Sequence, residues 1–345
     1  MAVDEKIFTK KALSMAIARV KPPALFLWDI LVGTEKLEKT LKFEIQTKEA
    51  GRYRVPLVGR RENGILIEKD GFETSIYEAP MMKFHVINKA EELFEQKFGQ
   101  TIYENGVTLA QQELAEELVY LKTLAARTKL WMIAELVTKG VCPLESGKVG
   151  IKFGNFEKEI LTDDAWSNPD TDIIGYLKEK QLEIQKKTGK VIDTLVITPD
   201  VEEALLKNNN IKEYLKQTNA NIVRVNDSSA RKKSGEREVM YIPTLDIMIY
   251  SYIDWIGDIT DKDSQETSVL PPKTAIGFKR GDFRCHYGPL ALRPAPRQRA
   301  ILHVTKEVVR PQYPEGTEDD ILEYFSAPLV APNDTAGWFC AQVLK

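Results

Sequence analysis

Residues 108–139 read TLAQQELAEELVYLKTLAARTKLWMIAELVTK, the longest helical pattern in the chain. Leu114, Leu118, Leu121, Ala125, Met132 and Leu136 recur at steps of three and four, with one gap at Thr128, as the buried stripe of an amphipathic helix requires. Both ends carry signals. Thr108 and Gln111 fit a capping box, in which the hydroxyl and the side-chain amide satisfy N–H and cap groups of the first turn. Gly140 supplies a left-handed stop, and Pro143 follows it. Such a helix spans roughly 45 Å at 1.5 Å per residue. That exceeds a small domain, so the other segments are expected to arrange along it.

The chain has 345 residues, 43% apolar and 29% charged, which predicts about two globular domains with room for a sizeable core. A formal charge of −3 leaves no broad basic field, so neutralising phosphates is not the main task of the surface. Cys142, Cys285 and Cys340 are too few and too scattered for a disulfide framework, and a reducing setting is expected. The first 23 residues are charged, and no apolar run reaches 18 residues. The sequence therefore predicts a soluble protein with neither secretion signal nor membrane span.

Before the long helix, residues 7–20 carry a short amphipathic pattern (Leu13, Ala16, Ile17, Val20) that Pro22 and Pro23 end. Residues 24–32, ALFLWDILV, are strongly apolar for a segment near a terminus. Two readings stay open: a first core element, or a contact with another subunit through Phe26, Leu27 and Trp28. Alternation then signals strands at 41–47, 52–57, 64–68 and 72–77, with a loop at 59–64 and a tight turn at Asp70-Gly71. Arg52, Arg54, Arg60, Arg61, Glu68, Lys69 and Glu73 make this ribbon too charged to own a core. It is expected either to lie on a neighbouring subunit or to be a surface hairpin. Residues 89–98 read as a second helix.

After the long helix, Gly154-Asn155 between two apolar flanks predicts a hairpin. Pro169, Asp170 and Asp172 open a helix that Gly189 closes. A β-rich run at 191–198 leads into Thr198-Pro199-Asp200, a strand-to-helix junction with Thr as N-cap and Pro at the first helical position. Strands follow at 222–225, 238–242 and 246–252, giving a mixed α/β region. Residues 258–272 and 280–299, rich in acids and in Arg, Pro and Gly respectively, read as loops. Residues 321–330 and 338–344 flank a turn and predict a terminal hairpin packed on the long helix.

Chemistry-bearing motifs are sparse. His85, His286 and His303 lack metal-ligand spacing, and Cys285-His286 are chain neighbours whose side chains need not converge. No phosphate-binding glycine motif or nucleophile elbow occurs. The pairs Asp163-Asp164 and Asp319-Asp320 read as solvated charge, and Arg231-Lys232-Lys233 is balanced by Glu236 and Glu238. No catalytic residue, cofactor or metal site is expected.

The order of segments resembles tailed-bacteriophage major capsid proteins, closest to the lambda-type capsid E family. Residues 326–330 (SAPLV), an Asp-containing turn and residues 338–344 are similar to that family's C-terminal ending. Weaker likenesses are residues 24–31, 170–176, 196–199, Leu270-Pro271 and 284–288. The ribbon and the 231–238 loop depart from the family pattern. The resemblance implies an α+β capsid fold: an N-terminal arm (1–45), an E loop ribbon (46–88), a P domain (89–160 and 291–345) with spine helix 108–139, and an inserted α/β A domain (161–290). It implies a non-enzymatic major capsid protein that self-assembles, as pentamers and hexamers, into an icosahedral head enclosing double-stranded DNA. Separate scaffolding, portal and decoration proteins, weak DNA contact, and assembly in the host cytoplasm go with it. An encapsulin-like compartment shares this fold, and a soluble hydrolase is the alternative from another class.

Overall fold

A computed structural model describes residues 10–21, 23–47, 73–88, 106–144, 150–163, 165–217, 231–259, 265–293, 299–312 and 319–345. Among them, three helices precede residue 140: α1 (Lys10–Arg19), α2 (Phe26–Leu31) and α3 (Gly106–Lys139). The 34 residues of α3 rise about 51 Å. Gly140 closes it with φ +69°, its N–H donating to the Leu136 carbonyl at 2.9 Å. A Cβ there would also run into Phe156, so glycine is required twice over. The expected capping box lies outside the described side chains.

The two halves of α3 sit in different surroundings. In the first, Leu114, Leu118, Leu121 and Ala125 pack against Leu13 and Ile17 of α1 and against Val309, Leu322 and Tyr324. Those last three belong to an antiparallel sheet ordered Glu307–Gln312, Asp320–Ser326, Met82–Asn88. In the second half, Leu130, Ile133, Ala134, Leu136 and Val137 are buried against α2 and the strands Pro328–Pro332 and Trp338–Gln342, which leaves only a narrow side exposed at Trp131 and Glu135. Buried Thr138 returns its hydroxyl to the Ala134 carbonyl at 2.6 Å, so the enclosed turn keeps no idle donor.

A six-stranded sheet lies beyond: Glu159–Ile160, Trp338–Gln342, Thr274–Phe278, Thr194–Ile197, Ile247–Tyr252 and Glu236–Ile242, in that order. Its central strands are covered on both faces, which is why they read as near-continuous apolar runs. Leu195, Ile197, Ile249, Ala275, Phe339 and Ala341 face helices α4 (Ile173–Thr188), α5 (Pro199–Lys207) and α6 (Asn209–Gln217). Val196, Tyr250, Ile276 and Cys340 alternate with them and face the core that holds α3. The side chain of Asp172 caps α4 by accepting from Gly175 N–H at 2.8 Å, and Gly189 ends it at φ +77°. Thr198 stands at the α5 N-cap with no side-chain cap bond. Its hydroxyl accepts from Thr274 N–H at 3.2 Å and ties the junction to the next strand.

Several sequence expectations are corrected. No hairpin forms at Gly154: Ile151–Lys152 pairs with Val141–Cys142, while Glu159–Ile160 runs parallel to Trp338–Gln342. The turn is real, with Gly154 at φ +66°, but its flanks are drawn apart as Phe153 meets Tyr77 and Phe156 stacks on Trp338 at 5.1 Å. The terminal hairpin is absent too. Residues 321–330 split at Ala327 into two strands of different sheets; Pro328–Pro332 pairs with Phe283–Tyr287, and Trp338–Gln342 with Thr274–Phe278. The second of these still packs on α3, where Trp338 Nε1 donates to the Val137 carbonyl at 3.2 Å.

Residues 280–299 are not all loop. Phe283–Tyr287 is the middle strand of a sheet, parallel to Val32–Leu37 on one side and antiparallel to Pro328–Pro332 on the other. Leu290–Leu292 pairs with Ile301–His303, and Thr267–Ser268 with Trp255–Ile256. The limits 161–290 do not enclose a unit either. The six-stranded sheet takes Glu159–Ile160 and Trp338–Gln342 from outside them, and Phe339, Ala341 and Val343 complete its core, while Phe283–Tyr287 inside them serves another sheet. The helix expected at 89–98 and the strand at 222–225 fall outside the described residues.

Candidate assembly surface

The apolar run at 24–32 becomes α2 and the start of strand Val32–Leu37. Leu27, Ile30 and Leu31 are buried in the chain's own core, and the Phe26 ring meets Tyr250 at 5.1 Å and Tyr252 at 5.7 Å. Leu27 is therefore corrected as an interface residue: with 0% exposure it has no surface left for a neighbour. Trp28 remains half-buried and lines a recess of about 900 Å³ between α2, the middle of α3 and the strand Glu307–Gln312.

Parallel pairing sets Glu35 beside Cys285 and so brings the Glu35 carboxylate to the Tyr287 hydroxyl, which donates to it at 3.2 Å. Lys306 forms an ion pair with the same carboxylate. Burial works against ionisation of Glu35, but Lys306 and its hydrogen bonds win and hold it below the usual carboxylate range. Lys122 is bound on two sides, to the Ile17 carbonyl at 2.8 Å and to Glu307 at 3.0 Å. Lys129 differs. Its ammonium donates to the Tyr287 hydroxyl at 2.9 Å and stands 5.1 Å from the Tyr287 ring centre and 5.8 Å from that of Trp28. Among the described residues no carboxylate reaches ion-pair distance of it. Burial pushes its pKa down.

The remaining candidates stand apart. Cys285 and His286 point to opposite sides of their strand; burial pushes the Cys285 thiol up to about 12, which leaves no thiolate to act as a nucleophile. His286 Nδ1 lies 2.7 Å from Glu38, its ring stacks on Phe43 at 5.5 Å, and burial pushes its pKa down. Arg231 is a brace rather than a free loop cation, donating to Gly235 O at 2.8 Å and Ser251 Oγ at 2.9 Å. At the ribbon's base, Lys42–Thr47 pairs with Glu73–Glu78, placing Glu73 opposite Thr47. Arg52, Arg54, Arg60, Arg61, Glu68 and Lys69 lie outside the described residues.

The architecture, an axial helix with a doubly covered sheet at one end and a ribbon leaving its side, can now be set beside known proteins. Residues 9–343 match the family model of phage major capsid protein E. The chain belongs to that family. This capsid protein is accordingly a structural subunit that self-associates into a phage shell, and the family's role is non-enzymatic. Its fold is that of solved phage proteins. A candidate capsid protein of prophage from E. coli CFT073 is similar at a TM-score of 0.61 and 13% identity, covering 99% of each chain. A phage-related protein from Bordetella bronchiseptica RB50 is similar at 0.51 and 11%, covering 97% of each. No curated protein matches the chain.

Sequence reading missed Lys129, although a signal was there. The gap in the apolar stripe at Thr128 falls where Lys129, four residues after Ala125 and three before Met132, continues it. A lysine in an apolar stripe marks either a snorkelling side chain or a buried charge with a task.

Proposed function

We propose that this capsid protein assembles as pentamers and hexamers into a closed icosahedral head around double-stranded DNA. Residues 1–45 act as the arm, 46–88 as the E loop, 89–160 and 291–345 as the P domain around α3, and the part of 161–290 that carries α4, α5 and α6 as the A domain. Phe26, Trp28, Arg52, Arg54, Arg60, Arg61, Glu68, Lys69 and Glu73 contribute to contacts between subunits. The observation that carries the reading is the family match over residues 9–343. The net charge of −3 supports weak, non-specific contact with packaged DNA, since a strongly cationic wall would hold DNA against packing and release. Assembly takes place in the host cytoplasm with separate scaffolding and portal proteins.

Electron microscopy of the chain co-produced with its scaffolding protein tests this: closed shells are expected, with nuclease-resistant DNA once portal and packaging proteins are supplied. A monomer at high concentration with scaffold present overturns it. Shells that load protein cargo and never DNA favour the compartment reading.

A further inference from the structure

Strand Val32–Leu37 is the outer strand of its sheet: it pairs with Phe283–Tyr287 on one side, and among the described residues no strand lies along the other. Glu38 N–H donates to the Tyr287 carbonyl at 2.9 Å, so the backbone groups of Lys36 face that same strand. By the alternation of an extended chain, those of Glu35 and Leu37 face outward. Recesses open on both faces of this edge. Leu37 lines the one of about 900 Å³ beside Trp28, Thr34 and Lys36 line a second of about 580 Å³ beside Arg284 and His286, and Glu35 touches both. An open edge with a recess on each face is the form that takes up an added strand, because ladder hydrogen bonds hold the guest and its alternate side chains enter the two recesses. The charges along the edge are already matched. Lys36 pairs with Glu38 at 2.9 Å and Glu35 with Lys306. The larger recess sets Lys122, Lys129 and Lys306 against Asp29, Glu35 and Glu307, and the smaller sets Lys36 and Arg284 against Glu35 and Glu44. With the two signs balanced in both recesses, the side chains that fit are uncharged.

We infer that strand Ile301–His303 of a second copy of the capsid protein adds to the open edge of Val32–Leu37. The inference rests on the reading of the chain as a self-assembling shell subunit. Among the described residues Ile301–His303 pairs only with Leu290–Leu292, and a two-stranded ribbon is marginal by itself. Ile301 and Leu302 are 52% and 46% exposed and, as neighbours in a strand, point to opposite faces. A strand that is apolar on both faces is built to be covered on both. The run from Ala300 to Thr305 also carries no Asp, Glu, Lys or Arg, as the balanced recesses require. Longer strands with an open edge do not fit: Met82–Asn88 brings Lys83, and Glu236–Ile242 brings Arg237. In the joined sheet one of Ile301 and Leu302 enters the recess by Trp28 and the other the recess by His286, so both leave water.

Amide hydrogen exchange on the parent chain tests the edge, and crosslinking tests the guest. In the unassembled subunit the N–H groups of Glu35 and Leu37 should exchange freely while that of Glu38 is protected. In closed shells the first two should slow by about a hundredfold or more, and the amides of Ile301–His303 that face away from Leu290–Leu292 should slow with them. For the guest, Leu37→Cys and Leu302→Cys are made as separate variants, 41% and 46% exposed at these positions in the parent. They are co-assembled under reductant, checked by electron microscopy, freed of reductant and treated with a short bis-maleimide, each thiol adding its sulfur and hydrogen across one maleimide double bond. Cys142, Cys285 and Cys340 are buried, and a mixture of single variants can link these positions only between copies. The mixture should give a dimer band on a denaturing gel, and each variant assembled alone should give none. Shells whose Glu35 and Leu37 amides still exchange freely, or protected amides with no dimer band specific to the mixture, overturn the contact while leaving the shell reading intact. A parent chain that never forms particles instead removes the shell reading, and this inference with it.

Discussion

Val119 and Val137 are the same residue on the same helix, 18 positions and about five turns apart, so their side chains leave α3 in the same direction. Val119 is 49% exposed and Val137 0%. The first half of α3 lays one stripe on a sheet and shows its back to the surroundings; the second half is covered on most of its circumference, with Trp131 still 41% exposed. The difference teaches that side-chain pattern reports the environment of a turn and not of a helix. Leu114 to Ala125 repeat with helical period, whereas Leu130 to Val137 are apolar on most sides because strands and α2 close around all but the strip at Trp131 and Glu135.

The sharpest test of that contrast replaces each valine by aspartate. Val137→Asp places an unpaired carboxylate where no water reaches, at a cost of several kcal/mol, on the order of the whole stability of a domain. No cooperative unfolding transition should remain by circular dichroism. Val119→Asp should shift the unassembled subunit by about 0.5 kcal/mol or less. Equal effects would break the two-environment account.

Truncations come next. Leu136→Ala and Leu118→Ala should each cost about 2–5 kcal/mol in urea titrations, with Leu136→Ala the larger because an enclosed site collapses less readily than one beside an exposed face. A larger loss at Leu118 would show that the sheet over the first half is the stiffer wall. Gly140→Ala follows at about 1–3 kcal/mol, since the new Cβ meets both a left-handed φ and the Phe156 ring; restoring room with Phe156→Leu should recover part of it in thermal melts.

The smallest effect is a pH slope. Burial lowers the folded-state pKa of His286 below its unfolded value, so the unfolded chain binds more protons in the range where the imidazole titrates. The stability it contributes is present above the unfolded pKa, about 6.5, and is lost as pH falls toward the lower folded value. Urea midpoints of the parent should drop between pH 8 and pH 5, and His286→Gln should flatten that drop. A midpoint that rises on acidification would mean that Glu38, 2.7 Å away, governs the pair instead.

Local chemistry made much of this legible. Helix α3 and its Gly140 stop, the Asp172 cap and Gly189 end of α4, and the strand-to-helix junction at Thr198-Pro199 all follow from residues within a few positions of one another. The strand Phe283–Tyr287 did not show because Arg, Pro and Gly on both sides disguise five residues whose partners are some 250 residues earlier and 45 later in the chain. Gly154 and the turn at 332–337 carried true turn signals, yet a turn says only that the chain bends and not which strand it joins.

By itself the sequence determined α1, α3, α4, the start of α5 and the capsid family, because each is written in short-range periodicity, caps and segment order, whereas α2 and α6 did not show. Tertiary structure alone decided which strands are neighbours, that the C-terminal strand completes the six-stranded sheet, that Leu27 belongs to the core, and that Lys129 stands in a recess, bound to the Tyr287 hydroxyl. Strand pairing and burial depend on contacts between segments far apart in the chain, where hydrogen bonds are interchangeable and only the joint packing of side chains selects one arrangement.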